Sequence, residues 1–198
     1  MFFSARDRQV YLRWLAEYAI RYELEIWAYC LMTNHVHLLV LGHLSDSLSQ
    51  GIGRTHGRYA QWQNRRHHWS GHFWSNRFYS TPLDESHLWA AVRYVELNPV
   101  RAGIVKRAEQ YRWSSAAAHS FGIDDPFLAP SRPFPGPIQN WSEWLADGMV
   151  QGSLENLRKN TSTGRPSGND IFISRLEVLL NRSLTPRRRQ GHKSLLKS

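Results

Sequence analysis

Residues Leu24 to Leu41 read LEIWAYCLMTNHVHLLVL. Two runs rich in aliphatic and aromatic residues flank Thr33 and Asn34, so the spacing predicts a hairpin: one strand over Leu24–Met32, a turn at Thr33 and Asn34, and a second strand over His35–Leu41. Side chains two apart on a strand share a face. His35 and His37 therefore point one way, and Val36, Leu38 and Val40 the other. Two imidazoles on one face form a metal-ligand pattern, and at the start of a hairpin they are held rigidly yet open to a substrate. On its own such a pair is more often a surface or packing feature than a site.

Working outward, Ser4 followed by Asp7 is a helix start, and Val10, Tyr11, Trp14, Leu15, Tyr18 and Tyr22 then recur at helical spacing. After the hairpin, Ser45 to about Arg66 returns to a helical pattern, although Gly51, Gly53 and Gly57 weaken its propensity and leave packing to support it. His72–Ser80 alternates and predicts a further strand. Asp84 can cap a helix running to about Leu97, which Pro99 is expected to end. The fold class is therefore α+β, an antiparallel sheet with helices on it.

Five of the nine prolines fall between Pro126 and Pro137 and predict an extended connector over 123–140. It separates a domain at 1–122 from a helical, basic extension at 141–198. Within the extension, short helices are expected over Trp141–Asn160, a polar break over Thr161–Gly168, and an amphipathic helix marked by Phe172, Leu176 and Leu179.

Of 198 residues, 41% are hydrophobic and 13% aromatic, enough for a real core, while 25 Lys and Arg against 16 Asp and Glu leave a formal net charge of +9. That balance points to a polyanionic partner, nucleic acid before a membrane surface. No apolar run is long enough to span a membrane, and the N-terminus does not read as an export signal, so the expected location is cytoplasmic, at the nucleoid. The single cysteine, Cys30, sits in the apolar first strand and reads as structural.

Two imidazoles need a third ligand and an open coordination position, and Asn98 offers an amide oxygen. Three neutral ligands leave a divalent cation's charge uncompensated until an anionic phosphate joins it, an arrangement suited to phosphoryl transfer. Tyr94 lies four residues before Asn98, about 40° away around the helix. The apolar stripe of that helix is Leu88, Ala91, Val92 and Val95, and Tyr94 projects from its flank, with Glu96 nearly opposite.

From Arg54 to Arg77 the chain carries five arginines, four histidines and three tryptophans without one acid. Arg54, Arg58, Arg65, Arg66 and Arg77 are candidates to neutralise phosphates, and Trp74 to stack on unpaired bases, a composition favouring single strands. Arg101 and the consecutive Arg187, Arg188 and Arg189 of the basic tail are further DNA-binding candidates.

The chain resembles the REP-associated tyrosine transposases of the single-tyrosine HUH transposase superfamily. The stretches that carry the resemblance are LMTNHVHLLV (31–40), WSNRF (74–78), RYVELNPVRAG (93–103) and YRWSS (111–115), in that order, within a span from about Ser4 to Phe121; Gly164 to Lys193 looks like the family's basic tail. The resemblance implies a ferredoxin-like sheet bearing the histidines, with Tyr94 as nucleophile. It implies a divalent metal, Mg2+ or Mn2+, on His35, His37 and Asn98, and a 5′-phosphotyrosine intermediate. The implied substrate is single-stranded, hairpin-forming DNA, and the implied state a monomer acting in cis, with a helix-exchanging dimer, as in related insertion-sequence enzymes, as the alternative. Relatives start with a further strand before the first helix, whereas this chain starts almost at that helix, so the sheet is expected to be one strand short, with an unpaired edge. A catalytically silent hairpin-binding relative and a metal hydrolase without a covalent step are the alternative readings.

Overall fold

The computed structural model describes residues 1–130, 134, 138–147 and 151–184, the side chains of 151–154 excepted. Its centre is the hairpin: β1 (Leu24–Leu31) pairs antiparallel with β2 (Val36–Gly42), closing a turn over residues 32–35. Ile26 faces Val40 and Ala28 faces Leu39, so Trp27 is an extra residue that bulges β1. The bulge shifts the alternation of β1. Leu24 and Ile26 before it, and Tyr29 and Leu31 after it, all face one core, while Ala28, Cys30 and Met32 face the other.

The first core lies under α1 (Ala5–Arg21) and α2 (Ser47–His67). Ser4 caps α1 as expected: its hydroxyl accepts from the Asp7 amide, and the Asp7 carboxylate accepts from the amides of Phe3 and Ser4. Asp7 is buried and also takes the Arg66 guanidinium at 2.7 Å, tying the start of α1 to the end of α2. Gly51 lets α2 approach the sheet, because a Cβ there would stand 3.2 Å from Leu24 Cδ2. Its absence is the packing that supports a glycine-rich helix.

The second core lies on the opposite face, under α3 (Leu88–Glu96). Its stripe of Leu88, Ala91, Val92 and Val95 is buried against β1 and β2, each large side chain contributing about 1.5–3 kcal/mol. A one-turn helix, α4 (Asn98–Arg101), follows directly. Pro99 lies just past the end of α3, which stops at Glu96 as expected. It sits in the first turn of α4, where its missing N–H is not needed.

Three expectations are corrected. His72–Ser80 is not a strand: Phe73, Trp74 and Phe78 all pack on the first core, Trp74 donates from Nε1 to the His56 carbonyl, and two neighbouring inward side chains are incompatible with strand alternation. Among the described residues the sheet has two strands, so the ferredoxin-like sheet is not formed by them; the fold is a mixed α+β arrangement. Third, the polar break begins later than Thr161, because the helix Gln151–Thr163 runs past it and is followed by Gly164 with φ +66°.

The two sheet edges differ. The outer edge of β1 is covered: Leu31 N–H donates to Trp113 O, Ser115 N–H to Tyr29 O, and Ala129 N–H to Ile26 O. No strand pairs with the outer edge of β2 among the described residues. The remaining helices are α5 (Ala116–Phe121), α6 (Trp141–Ala146), α7 (Gln151–Thr163) and α8 (Asp170–Leu180). They return to the hairpin domain. Ser167 exchanges backbone hydrogen bonds with Pro82 and Asp84, Asn169 N–H donates to Asp84 Oδ2, and Phe134 packs among Trp27, Trp89 and Trp141. No helix among the described residues is long and apolar enough to cross a membrane.

Candidate active site

His35 is the last residue of the turn and His37 the second residue of β2. The turn is anchored from outside, since Phe2 N–H donates to Thr33 O and the Tyr111 hydroxyl to Leu31 O. The two imidazoles share a face, and their Nε2 atoms are 3.0 Å apart. Asn34 Oδ1 accepts from His35 Nδ1 at 2.7 Å, which puts the proton on Nδ1 and leaves Nε2 a lone pair. Burial lowers the pKa of His35. Burial first, then the charges of His35, Arg101 and Arg158, lower that of His37 to about 3. Both rings are thereby held neutral, the form that ligates metals.

Two nitrogens at adjacent positions of an octahedral ion stand about 3.0 Å apart when each bond is about 2.1 Å. The histidine pair fits a divalent cation by that measure. Among the described residues no group of three His, Cys, Asp or Glu side chains surrounds a common point, so any further ligands would come from an amide, water or substrate. Asn98 is buried, and its Nδ2 donates to the carbonyls of Tyr94 and Val95 at 2.7 and 3.3 Å. Its Oδ1 accepts no hydrogen bond among the described residues.

Tyr94 comes to the histidines from α3. Its ring stands edge-on to His37, with centroids 5.2 Å apart, and both side chains line a cleft of about 750 Å3 beside β2. Behind Tyr94, the Arg101 guanidinium lies 4.8 Å over the ring and donates to the Tyr94 carbonyl at 2.7 Å. Glu96 is turned away. Its carboxylate is fully buried and accepts from Ser115 Oγ, His119 Nδ1 and Trp141 Nε1 at 2.5, 2.6 and 2.8 Å.

Residues 1–98 match the family described as "Transposase IS200 like". They form an IS200-like transposase domain. No curated protein and no solved structure matches the chain. The transposase domain takes in His35, His37, Tyr94 and Asn98, whereas Arg101 and everything from α5 onward lie beyond the matched stretch.

The basic candidates of the transposase domain divide by what they already hold. Arg58 pairs with Glu17 and lies over Trp14; Arg66 pairs with Asp7 and lies over Trp62; Arg54 donates to Gln50. Arg65 and Arg77 are exposed. Trp74 is partly buried and stacks on His56 at 4.1 Å. Arg187, Arg188 and Arg189 lie outside the described residues. Three contributors escaped the sequence reading. In the sequence Asn34 signals only a turn. His56, which bonds the Tyr11 hydroxyl at 3.0 Å and lines the cleft, looked like part of a basic helix. Arg158 stands 64 residues after Tyr94, and no local pattern connects them.

Proposed function

We propose that this protein is a metal-dependent single-strand DNA nickase and strand transferase of the REP-associated type, acting on hairpin-forming repeats with Tyr94 as nucleophile. The observation that carries this reading is the meeting of Tyr94 with His37 beside a histidine pair of cation-binding spacing. The IS200-like transposase match over the same residues supports it.

In this reading His35 and His37, with Asn98 through its Oδ1, would hold Mg2+ or Mn2+. When bound, the cation would polarise a non-bridging oxygen of the scissile phosphate. The Tyr94 oxygen bonds to phosphorus and loses its proton, the bond to the 3′ oxygen breaks, and that oxygen leaves as a hydroxyl. The 5′-phosphate stays on tyrosine, so the bond is conserved and a later 3′-hydroxyl can reverse the step without a nucleotide cofactor. Asn34 keeps His35 in the ligating tautomer, and Asn98 and Arg101 hold the end of α3 that presents the tyrosine.

Incubation of a labelled DNA hairpin with the protein and Mg2+ or Mn2+ tests the proposal. A denaturant-stable protein–DNA adduct that disappears in Tyr94→Phe supports it. Binding without an adduct leaves a hairpin-binding protein, and cleavage that survives Tyr94→Phe points to a hydrolase.

A further inference from the structure

Arg101 is held in an unusual way. One guanidinium nitrogen, Nη2, donates to the Tyr94 carbonyl, while Nε and Nη1 are buried and find no partner among the described residues. The group lies over the Tyr94 ring, whose other neighbour is His37. Buried, unpaired N–H groups on a cation are unfavourable in the empty protein, and an anion arriving on the Arg101 side of Tyr94 would satisfy them. Helix α7 packs on α3 through Leu157, which is 4% exposed and lines the same cleft. The next residue, Arg158, is exposed, and its charge acts on both His37 and Arg101. Two arginines from separate elements thus stand next to residues that line one cleft, Arg101 over Tyr94 and Arg158 following Leu157.

We propose that Arg101 and Arg158 form a phosphate clamp beside Tyr94 and His37, taking a backbone phosphate of single-stranded DNA, with Arg158 supplied by the helical region that follows the transposase domain. Arg101 offers its two free N–H edges, and Arg158 closes the site from the solvent side. The clamp rests on the nuclease reading for the identity of that phosphate as the scissile one, and not for its capture.

The test is equilibrium binding of a fluorescein-labelled oligothymidylate to the full chain without divalent metal, from 50 to 200 mM salt. Each phosphate contact on a single strand contributes about 0.7 to the slope of log K against log salt. Arg158→Ala is expected to reduce the slope by about 0.7, at an unchanged thermal midpoint for the exposed Arg158, and Arg158→Ala with Arg101→Gln to reduce it no further, because both arginines hold one phosphate. Lys159→Ala, about 100° around the helix, is expected to leave the slope unchanged. If Arg158→Ala does not alter the slope, or Lys159→Ala alters it equally, the clamp is overturned; this holds even if Arg101→Gln fails to fold. The intended slopes without any Tyr94 adduct would refute the nuclease reading and leave the clamp standing. An adduct with unaltered slopes would do the reverse.

Discussion

The Tyr94 ring meets the His37 imidazole edge-on, at an interplanar angle of 84°, and so joins α3 to the strand that carries His37. Tyr94→Phe preserves that contact and deletes one oxygen. Stability is expected to stay within about 0.5 kcal/mol of the parent, measured by thermal denaturation, while the covalent DNA adduct is lost on a denaturing gel.

Asn34 acts on the histidine pair through its hydrogen bond to His35 Nδ1. Asn34→Ala frees the ring to rotate and to change tautomer, and Mn2+ affinity is expected to fall by about 10–100-fold, whereas Asn34→Asp retains it. Titration followed by the Mn2+ electron-spin resonance signal reads this without any DNA. Equal affinity in all three proteins would remove Asn34 from the site.

Asp7 carries a pH dependence. Burial opposes its ionisation, but the Ser4 hydroxyl, the Phe3 and Ser4 amides and Arg66 together hold its pKa below the ordinary carboxylate value of about 3.9. A depressed folded pKa makes the stabilisation fully present above the ordinary value and removes it as pH falls through the lower folded one. Asp7→Asn is expected to lose about 1–3 kcal/mol at neutral pH. Urea midpoints of the two proteins should converge only below about pH 4.

Glu96 joins α3, α5 and α6 through Ser115, His119 and Trp141. Glu96→Ala leaves the buried His119 Nδ1 and Trp141 Nε1 donors unpaired, while the Ser115 hydroxyl keeps the Tyr29 carbonyl, and is expected to destabilise by about 3–5 kcal/mol. Glu96→Gln keeps an acceptor in place and is expected to lose less, as chemical denaturation will measure. Similar losses for both would mean that volume, rather than hydrogen bonding, holds the three helices together.

Trp74 and the exposed arginines separate packing from binding. Trp74→Ala removes a ring stacked on His56 and packed on the first core, so a loss of about 3 kcal/mol is expected. Arg65→Ala and Arg77→Ala are expected to change stability by less than about 0.5 kcal/mol while weakening oligonucleotide binding. Calorimetry alongside binding isotherms distinguishes the two classes.

Patterns of short period were legible in the sequence. The hairpin, the shared face of His35 and His37, the capping box at Ser4, and the stripe that leaves Tyr94 on the flank of α3 each follow from spacings of two to four residues. His72–Ser80 misled because its aromatic residues alternate loosely, while their side chains answer to the α2 surface rather than to a neighbouring strand.

By itself, the sequence determined the local elements, the chemistry they carry and the excess positive charge, since backbone sterics and hydrophobic period act between near neighbours. Tertiary structure alone decided which charges are already paired. It turned Arg58 and Arg66 toward Glu17 and Asp7, sent Glu96 to the far side of α3, and brought Leu157 to the cleft lined by Tyr94 and His37. Those outcomes depend on which helix faces meet, and distances across a core are set by packing between segments whose separation in the chain carries no geometric information.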